Sequence, residues 1–423
     1  MKYYQLLVLG NGFDVHCGLK SRYEDFFRAS ILDTIGARFN LQQAQVGVTG
    51  FWENLLLEYY YVYHDSNYNW YDVEAIIKET LIRVIYVDEA SSTCIWKNSL
   101  ENVKLRRHYH EVVKSFQDPI TQYLYKYCMQ YLKKHLSQTK WSNEEDSLQA
   151  LILNLLQELQ TFERRFCKYI KDNIGNPQNE HELNSQYLVN AMNLLNKMAG
   201  ITHTAYRELD NIIERQEESC FERINQSVYR PVQKEKHILS PEFAQLNSTH
   251  ILSFNYTALF DILGVESPCV YHNVHGKLCL SSCLADCNSS SIIFGIDDGV
   301  IQSNNEYADL RLFSKTYRKM FDTSAPVSVL PLIGEDSTIT IKFYGHSLNE
   351  ADYSYFQSIF DYYNLYSNDH VGLVFYYSKG YEQTDSIYRL INTYGKSLSN
   401  KDQGKNLMHK LLLENRLKII EID

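Results

Sequence analysis

Four polar clusters in this chain each follow a short apolar run, and their residue types suit the handling of a phosphorylated ligand. Gly10-Asn11-Gly12-Phe13-Asp14 follows Leu6–Leu9, and Ser253-Phe254-Asn255-Tyr256-Thr257 follows a second run. His272-Asn273-Val274-His275-Gly276 follows a third, and Gly345-His346-Ser347-Leu348-Asn349 a fourth. A strand that ends in closely spaced glycines and enters a helix offers bare amides and the positive end of a dipole to an anion. The imidazole of His275, with an ordinary pKa of about 6.5, suits a general base near neutrality. Asn255 could hold a water or a carboxamide, and Ser347 could offer its hydroxyl and amide to a phosphate. Four such strand ends suggest one nucleotide-type site assembled from distant parts of a sheet.

Each cluster also has a purely structural reading. Gly10, Gly12 and Gly18 give G-x-G-x5-G rather than the dinucleotide spacing G-x-G-x-x-G, and closely spaced glycines also serve tight turns. Asp14 would repel a pyrophosphate, so its carboxylate is expected on a ribose hydroxyl or a backbone N–H. His272 or His275 could simply bond a neighbouring loop. Asn255 could cap a helix beginning near Thr257, and Ser347 or Asn349 could cap the one that follows them. Cys279, Cys283 and Cys287, with Cys269 upstream, lack the paired C-x2-C spacing of zinc knuckles and read as free thiols, so no metal is expected. The basic run Lys104–His108 reads as a solvated helix face. The chain has no Walker A loop, no H-E-x-x-H and no G-x-S-x-G.

The elements that must position these residues are legible as apolar patterns. Strands are expected at Tyr4–Leu9, His250–Phe254, Cys269–Val274, Ser291–Gly295, Thr338–Tyr344, Val371–Tyr377 and Leu417–Ile422. Helical spacing follows several of them, at Asn349–Tyr363, Thr384–Tyr394 and Lys405–Asn415. Alternating strands and helices imply an α/β fold with a mostly parallel, Rossmann-like sheet covered on both faces. Helix is also expected at Trp52–Tyr63 and Asp72–Ile85, and amphipathic stretches run through Leu105–Leu136, Glu144–Asn173 and Glu180–Ser219. The expected organisation is a nucleotide-binding α/β domain from 1–97 and 236–423, with a helical insertion at 98–235.

Composition narrows the partners. Within 423 residues, 44% are hydrophobic, enough for a buried core. Glycine (18) and proline (7) are sparse, which favours long helices over many-turned β architecture. The 34 tyrosines are diffusely spread and read as core and surface filler. A net charge of −10 argues against broad binding to nucleic acid or anionic membranes. No apolar run approaches the roughly 20 residues a bilayer requires, and the first residues do not read as a signal peptide. An odd number of scattered cysteines, nine, fits a reducing, cytoplasmic setting.

Taken in order, the motifs resemble the AbiH family of bacterial phage abortive-infection proteins. The resemblance rests on Gly10–Asp14 continuing through Gly18-Leu19-Lys20-Ser21 to Tyr23 and Phe26, and on Trp70-Tyr71-Asp72-Val73-Glu74. Phe254–Thr257, His272–Gly276, Ile292–Gly295 and Gly345–Asn349 with Asp352 complete it. That motif order in turn is similar to sirtuin-like NAD-binding domains, which implies NAD as substrate or ligand and, in defence proteins, its hydrolysis to ADP-ribose and nicotinamide. Carried over, Gly10, Gly12 and Ser347 hold phosphates and ribose, Asn255 positions the attacking water or the nicotinamide ribose, and His275 is the base. Asn11, Phe13, Asp14, Thr257, Gly345, His346 and Asn349 line the same ligand, and Asp14 or Asp352 helps electrostatically. Thr257 stands where sirtuin-like proteins commonly carry an acid, and the paired-cysteine knuckles of deacylases are missing, so deacylation is not implied. The resemblance implies an unidentified phage trigger and a homo-oligomer. The same residues also suit a non-catalytic nucleotide or phage sensor and, less well given the acidic charge, a nuclease.

Overall fold

The computed structural model describes residues 2–32, 50–66, 72–85, 94–105, 116–136, 144–175, 184–199, 248–263, 269–278, 292–297, 308–320, 328–334 and 336–422. The described residues form six strands: β1 (Lys2–Leu9), β2 (Thr249–Ser253), β3 (Val270–Asn273), β4 (Ser337–Tyr344), β5 (Val371–Tyr377) and β6 (Leu417–Glu421). They make one sheet in the order β3-β2-β1-β4-β5-β6, and every ladder in it is parallel. The fold is α/β, as the alternation of strands and helices implies. The order runs outward from β1 in one direction through β2 and β3, and in the other through β4, β5 and β6. The chain therefore reverses direction across the sheet between β1 and β4, and in open α/β sheets ligands bind beyond the carboxyl ends of the strands at such a switch point.

Parallel strands need both faces covered, and β1 shows why its run Leu6–Leu9 is unbroken: all four residues are buried. Leu6 and Val8 join Ile341, Phe343, Leu373 and Phe375 in the main core. The helices Tyr353–Tyr362, Thr384–Ser397 and Lys401–Leu413 cover that core with Phe356, Phe360, Leu390, Tyr394 and Leu407. Phe343 and Phe375 are register partners and stack at 4.6 Å. On the opposite face, Gln5 donates to Thr249 Oγ1 at 2.7 Å and to Ala199 O at 2.9 Å. Lys342 donates to Gln5 Oε1 and Met198 O at 2.8 and 2.6 Å, and burial lowers its pKa. The carboxyl end of the helix Ser185–Ala199 thus has two of its last carbonyls satisfied by side chains of the sheet.

The chain divides into two compact units. One comprises Met1–Arg22, Cys167–Ile292 and Asp322–Asp423 and holds the sheet; the other comprises Tyr23–Phe166 and Ile293–Phe321 and is helical. The helical unit contains Phe51–Tyr63, Val73–Ile85, Ile95–Lys104 and Pro119–Leu136. Its interior is aromatic, with Tyr23, Phe26, Phe162, Phe166 and Phe294 in mutual ring contact at 5.2–5.6 Å.

The expected strand at Ser291–Gly295 does not form. Ser291 lies outside the described residues, and 292–295 pair with no strand. Only an isolated bridge joins Ile296 to Ser314. The physical reason is that Phe294 finds side-chain partners for its backbone. Its N–H donates to Glu163 Oε1 at 2.8 Å, and its carbonyl accepts from Arg318 Nη1 at 3.0 Å. An apolar run buried by aromatic packing and bonded by an ion pair looks like a strand in sequence without needing a ladder.

Candidate functional site

The site residues expected from sequence fall at the carboxyl ends of β1, β2, β3 and β4, all within the sheet unit. The glycine loop follows β1 and opens the one-turn helix Gly12–His16. Gly10 and Gly12 are glycines because another backbone fills the space a side chain would need. A Cβ on Gly12 would stand 2.7 Å from Gly345 Cα, and one on Gly10 2.3 Å from His346 Cα. Gly345 itself has φ +69°, and its own Cβ would meet Phe13 N at 2.3 Å. The amides of Gly10 and Gly12 donate to Tyr344 O and Gly345 O at 2.9 and 2.7 Å, and that of Phe13 to Gly10 O at 2.9 Å. The loop therefore clamps the ends of β1 and β4 together, as a close-approach turn does. Asn11 exchanges side-chain hydrogen bonds with Ser21, at 2.5 Å to its hydroxyl and 3.1 Å to its carbonyl.

Asp14 is 1% exposed, and its carboxylate accepts from two hydroxyls: Tyr187 donates to Oδ1 at 2.8 Å and Thr257 to Oδ2 at 2.7 Å. Burial pushes its pKa up to about 6, against the lowering effect of both hydroxyls. Both carboxylate oxygens thus accept from protein hydroxyls.

Asn255 is 3% exposed, and its Oδ1 has no hydrogen-bond partner among the described residues. The capping alternative fails, because this oxygen caps nothing and the next helix begins only at Leu259. Asn273, at the end of β3, donates from Nδ2 to the carbonyls of Asn255 and Thr257 at 2.7 and 2.8 Å. Two residues later stands His275, buried, with Gly276 in the left-handed region at φ +84°.

His275 Nε2 lies 3.1 Å from Asp352 Oδ1, and His346 Nε2 lies 3.3 Å from Asp352 Oδ2. Asp352 thus presents one carboxylate oxygen to each imidazole. His346 Nδ1 accepts the Leu348 N–H at 2.9 Å, which places the proton of a neutral ring on Nε2, facing Asp352. Leu348 pays for that bond with a left-handed backbone at φ 55°, a strained conformation for a branched residue. Phe254 wedges both imidazoles edge-on, at 5.3 Å from His275 and 4.5 Å from His346. Ser347 and Asn349 are exposed on the same loop. Neither caps the helix Tyr353–Tyr362, whose N-cap position is Asp352 without a side-chain capping bond.

The fold therefore brings Asp14 to Thr257, His275 to Asp352 and His346, and the Asn255 loop to Asn273. Three participants escaped sequence reasoning or were only lightly marked by it. Tyr187 sits in the helical middle of the chain with no local signal. Asn273 stands out in sequence only within the His272–Gly276 cluster, and Asp352 only as a motif residue that helps electrostatically, with no sign that it faces two imidazoles. Asp72 and Glu74 of the Trp70–Glu74 motif lie in the helical unit, where Asp72 Oδ1 accepts the Ala75 N–H at 3.0 Å and Glu74 binds Lys315 Nζ at 2.7 Å. Trp70, Tyr71, Cys279, Cys283 and Cys287 lie outside the described residues. No helix among the described residues is long and apolar enough to cross a membrane.

An all-parallel six-stranded sheet in this order, flanked by helices, defines an α/β protein. The family model described as bacteriophage abortive infection AbiH matches residues 6–149 and 107–377, and the chain belongs to that family. Its role is accordingly in abortive infection by bacteriophage. No curated protein and no solved structure matches the chain.

Proposed function

We propose that the protein is a cytoplasmic antiphage effector that hydrolyses NAD, or a related nucleotide, at the N-glycosidic bond. The observation that carries this reading is the buried Asn255 Oδ1, an acceptor without a donor among the described residues, on the strand-end cluster that also holds His275 and Asp352. A buried amide oxygen left without a donor costs about 1–3 kcal/mol, a cost a ligand hydroxyl or a water removes. In the reaction, water adds to the ribose C1′ as the bond from C1′ to the nicotinamide nitrogen breaks. The pyridinium leaves as neutral nicotinamide, and the product is ADP-ribose. Asn255 Oδ1 accepts one O–H of the attacking water, and His275 takes the proton that the water loses and passes it to solvent. Asp352 stabilises the imidazolium that forms, and His346 holds Asp352 in place. The transition state has oxocarbenium character, and the carboxylate of Asp352 favours its positive charge. Ser347 and Asn349, exposed on the β4 loop, are the side chains proposed to meet phosphate or ribose.

A non-catalytic sensor is the second reading, favoured by the closed contact of Gly12 with Gly345, which leaves those glycine-loop amides committed to the protein. Incubating the purified protein and His275→Ala with NAD, with and without phage lysate, separates the two. Nicotinamide released by the wild type and lost in the variant supports the hydrolase. Binding of NAD without release under any condition supports the sensor, and neither binding nor release overturns both.

A further inference from the structure

The geometry points to Asp14 as a positioning residue: its carboxylate pins Thr257 against Tyr187 and so sets where Asn255 and the turn at His275 stand. The connection is a continuous chain of hydrogen bonds. Tyr187 and Thr257 donate to the two carboxylate oxygens at 2.8 and 2.7 Å. Asn273 Nδ2 then bridges the carbonyls of Thr257 and Asn255 at 2.8 and 2.7 Å. Tyr271 adds a bond to Thr257 O at 3.3 Å. The Val274 N–H donates to Ser253 O at 2.7 Å, so the segment leading to His275 is tied to the end of β2 as well. One acceptor group thereby gathers the ends of β1, β2 and β3 and the helix Ser185–Ala199. An apolar residue at position 14 would leave two buried hydroxyls without an acceptor. The inference concerns the loop geometry itself, and only its catalytic consequence rests on the hydrolase reading.

The groups that face Asp14 make its charge state matter. They are Tyr187 from the helix, Tyr271 from β3, Cys17 just after its own helix turn, and Thr257 from the β2 loop. Burial raises Tyr187, Tyr271 and Cys17, so all three stay neutral at pH 7 and Asp14 is the group that titrates. Its pKa in the closed loop is about 6, against 3.8 for the exposed group. Closure is therefore favoured below pH 3.8 and weakens as pH rises through 6, because opening returns the carboxylate to water.

Amide hydrogen exchange, corrected for the chemical rate, tests this on wild type, Asp14→Asn, Thr257→Val and Tyr187→Phe. In the wild type, opening at residues 254–258 and 273–276 is expected to increase about tenfold between pH 5 and pH 7.5, while Val371–Tyr377 is unchanged. Asp14→Asn is expected to be flat over that range, and Thr257→Val and Tyr187→Phe to open the loops severalfold at both pH values. A wild type without the pH dependence, or an Asp14→Asn that keeps it, overturns the inference. Should Asp14→Asn fail to fold, unchanged loop exchange in both milder variants overturns it equally. Where the wild type releases nicotinamide, the kcat profile of Asp14→Asn is expected to lose the fall with rising pH that Asp14 ionisation causes near pH 6, and to keep the rise that belongs to the His275 base. A wild type that releases none overturns the hydrolase reading alone, and the exchange result still decides this one.

Discussion

Each unit of this protein buries two carboxylic side chains among its described residues, and they are treated in opposite ways. In the helical unit Glu163 receives Arg318 through both guanidinium nitrogens at 2.6 and 2.8 Å, and Glu53 receives Arg165 at 2.5 Å. Burial raises both glutamates, and the arginines oppose it. In the sheet unit Asp14 is held by two hydroxyls and Asp352 lies between two imidazoles. A buried carboxylate with a fixed cation belongs to the scaffold, since removing either partner strands a charge. A buried carboxylate with neutral or titratable partners is costly to keep and marks a place where chemistry or movement is expected.

The comparison can be broken most sharply in the helical unit. Arg318→Met leaves Glu163 buried without its cation and should cost about 3–5 kcal/mol in urea unfolding. A loss below about 1 kcal/mol would contradict the scaffold assignment.

Asp14 should behave in the opposite sense. Its folded pKa, about 6, lies above the value of 3.8 expected when exposed. The stability it contributes is present below pH 3.8 and lost as pH rises through 6, about 3 kcal/mol in all. Unfolding of Asp14→Asn should lack this dependence, so the variant gains on the wild type with rising pH. Parallel curves for the two would sink the assignment.

Gly12→Ala forces a methyl against the Gly345 backbone and should cost about 1–3 kcal/mol, with phage protection lost through separation of the β1 and β4 ends. Thermal melting with an infection assay checks both. Smallest of all, Lys277→Ala removes an exposed pair with Asp261 at 2.6 Å and should change stability by under about 0.5 kcal/mol.

How far the sequence carried this picture depended on the range of the interaction. The strands around the site were legible because unbroken apolar runs such as Leu6–Leu9 and Val371–Tyr377 ended in glycine or polar residues. Gly10, Gly12 and Gly345 signalled tight backbone in sequence, but not that each filled the other's space. Tyr187 and Thr257 meet Asp14 across 173 and 243 residues, and no local pattern encodes such a meeting. The stretch before Gly295 misled for a related reason: the Phe294 backbone is satisfied by side chains 131 and 24 residues away, Glu163 and Arg318.

The most direct measurement is survival and phage yield of infected cells expressing the wild type or His275→Gln, with the melting temperature of each purified protein alongside. The account predicts that His275→Gln loses protection while melting like the wild type. Full protection by a folded His275→Gln would contradict the placement of the reactive group at this strand-end cluster.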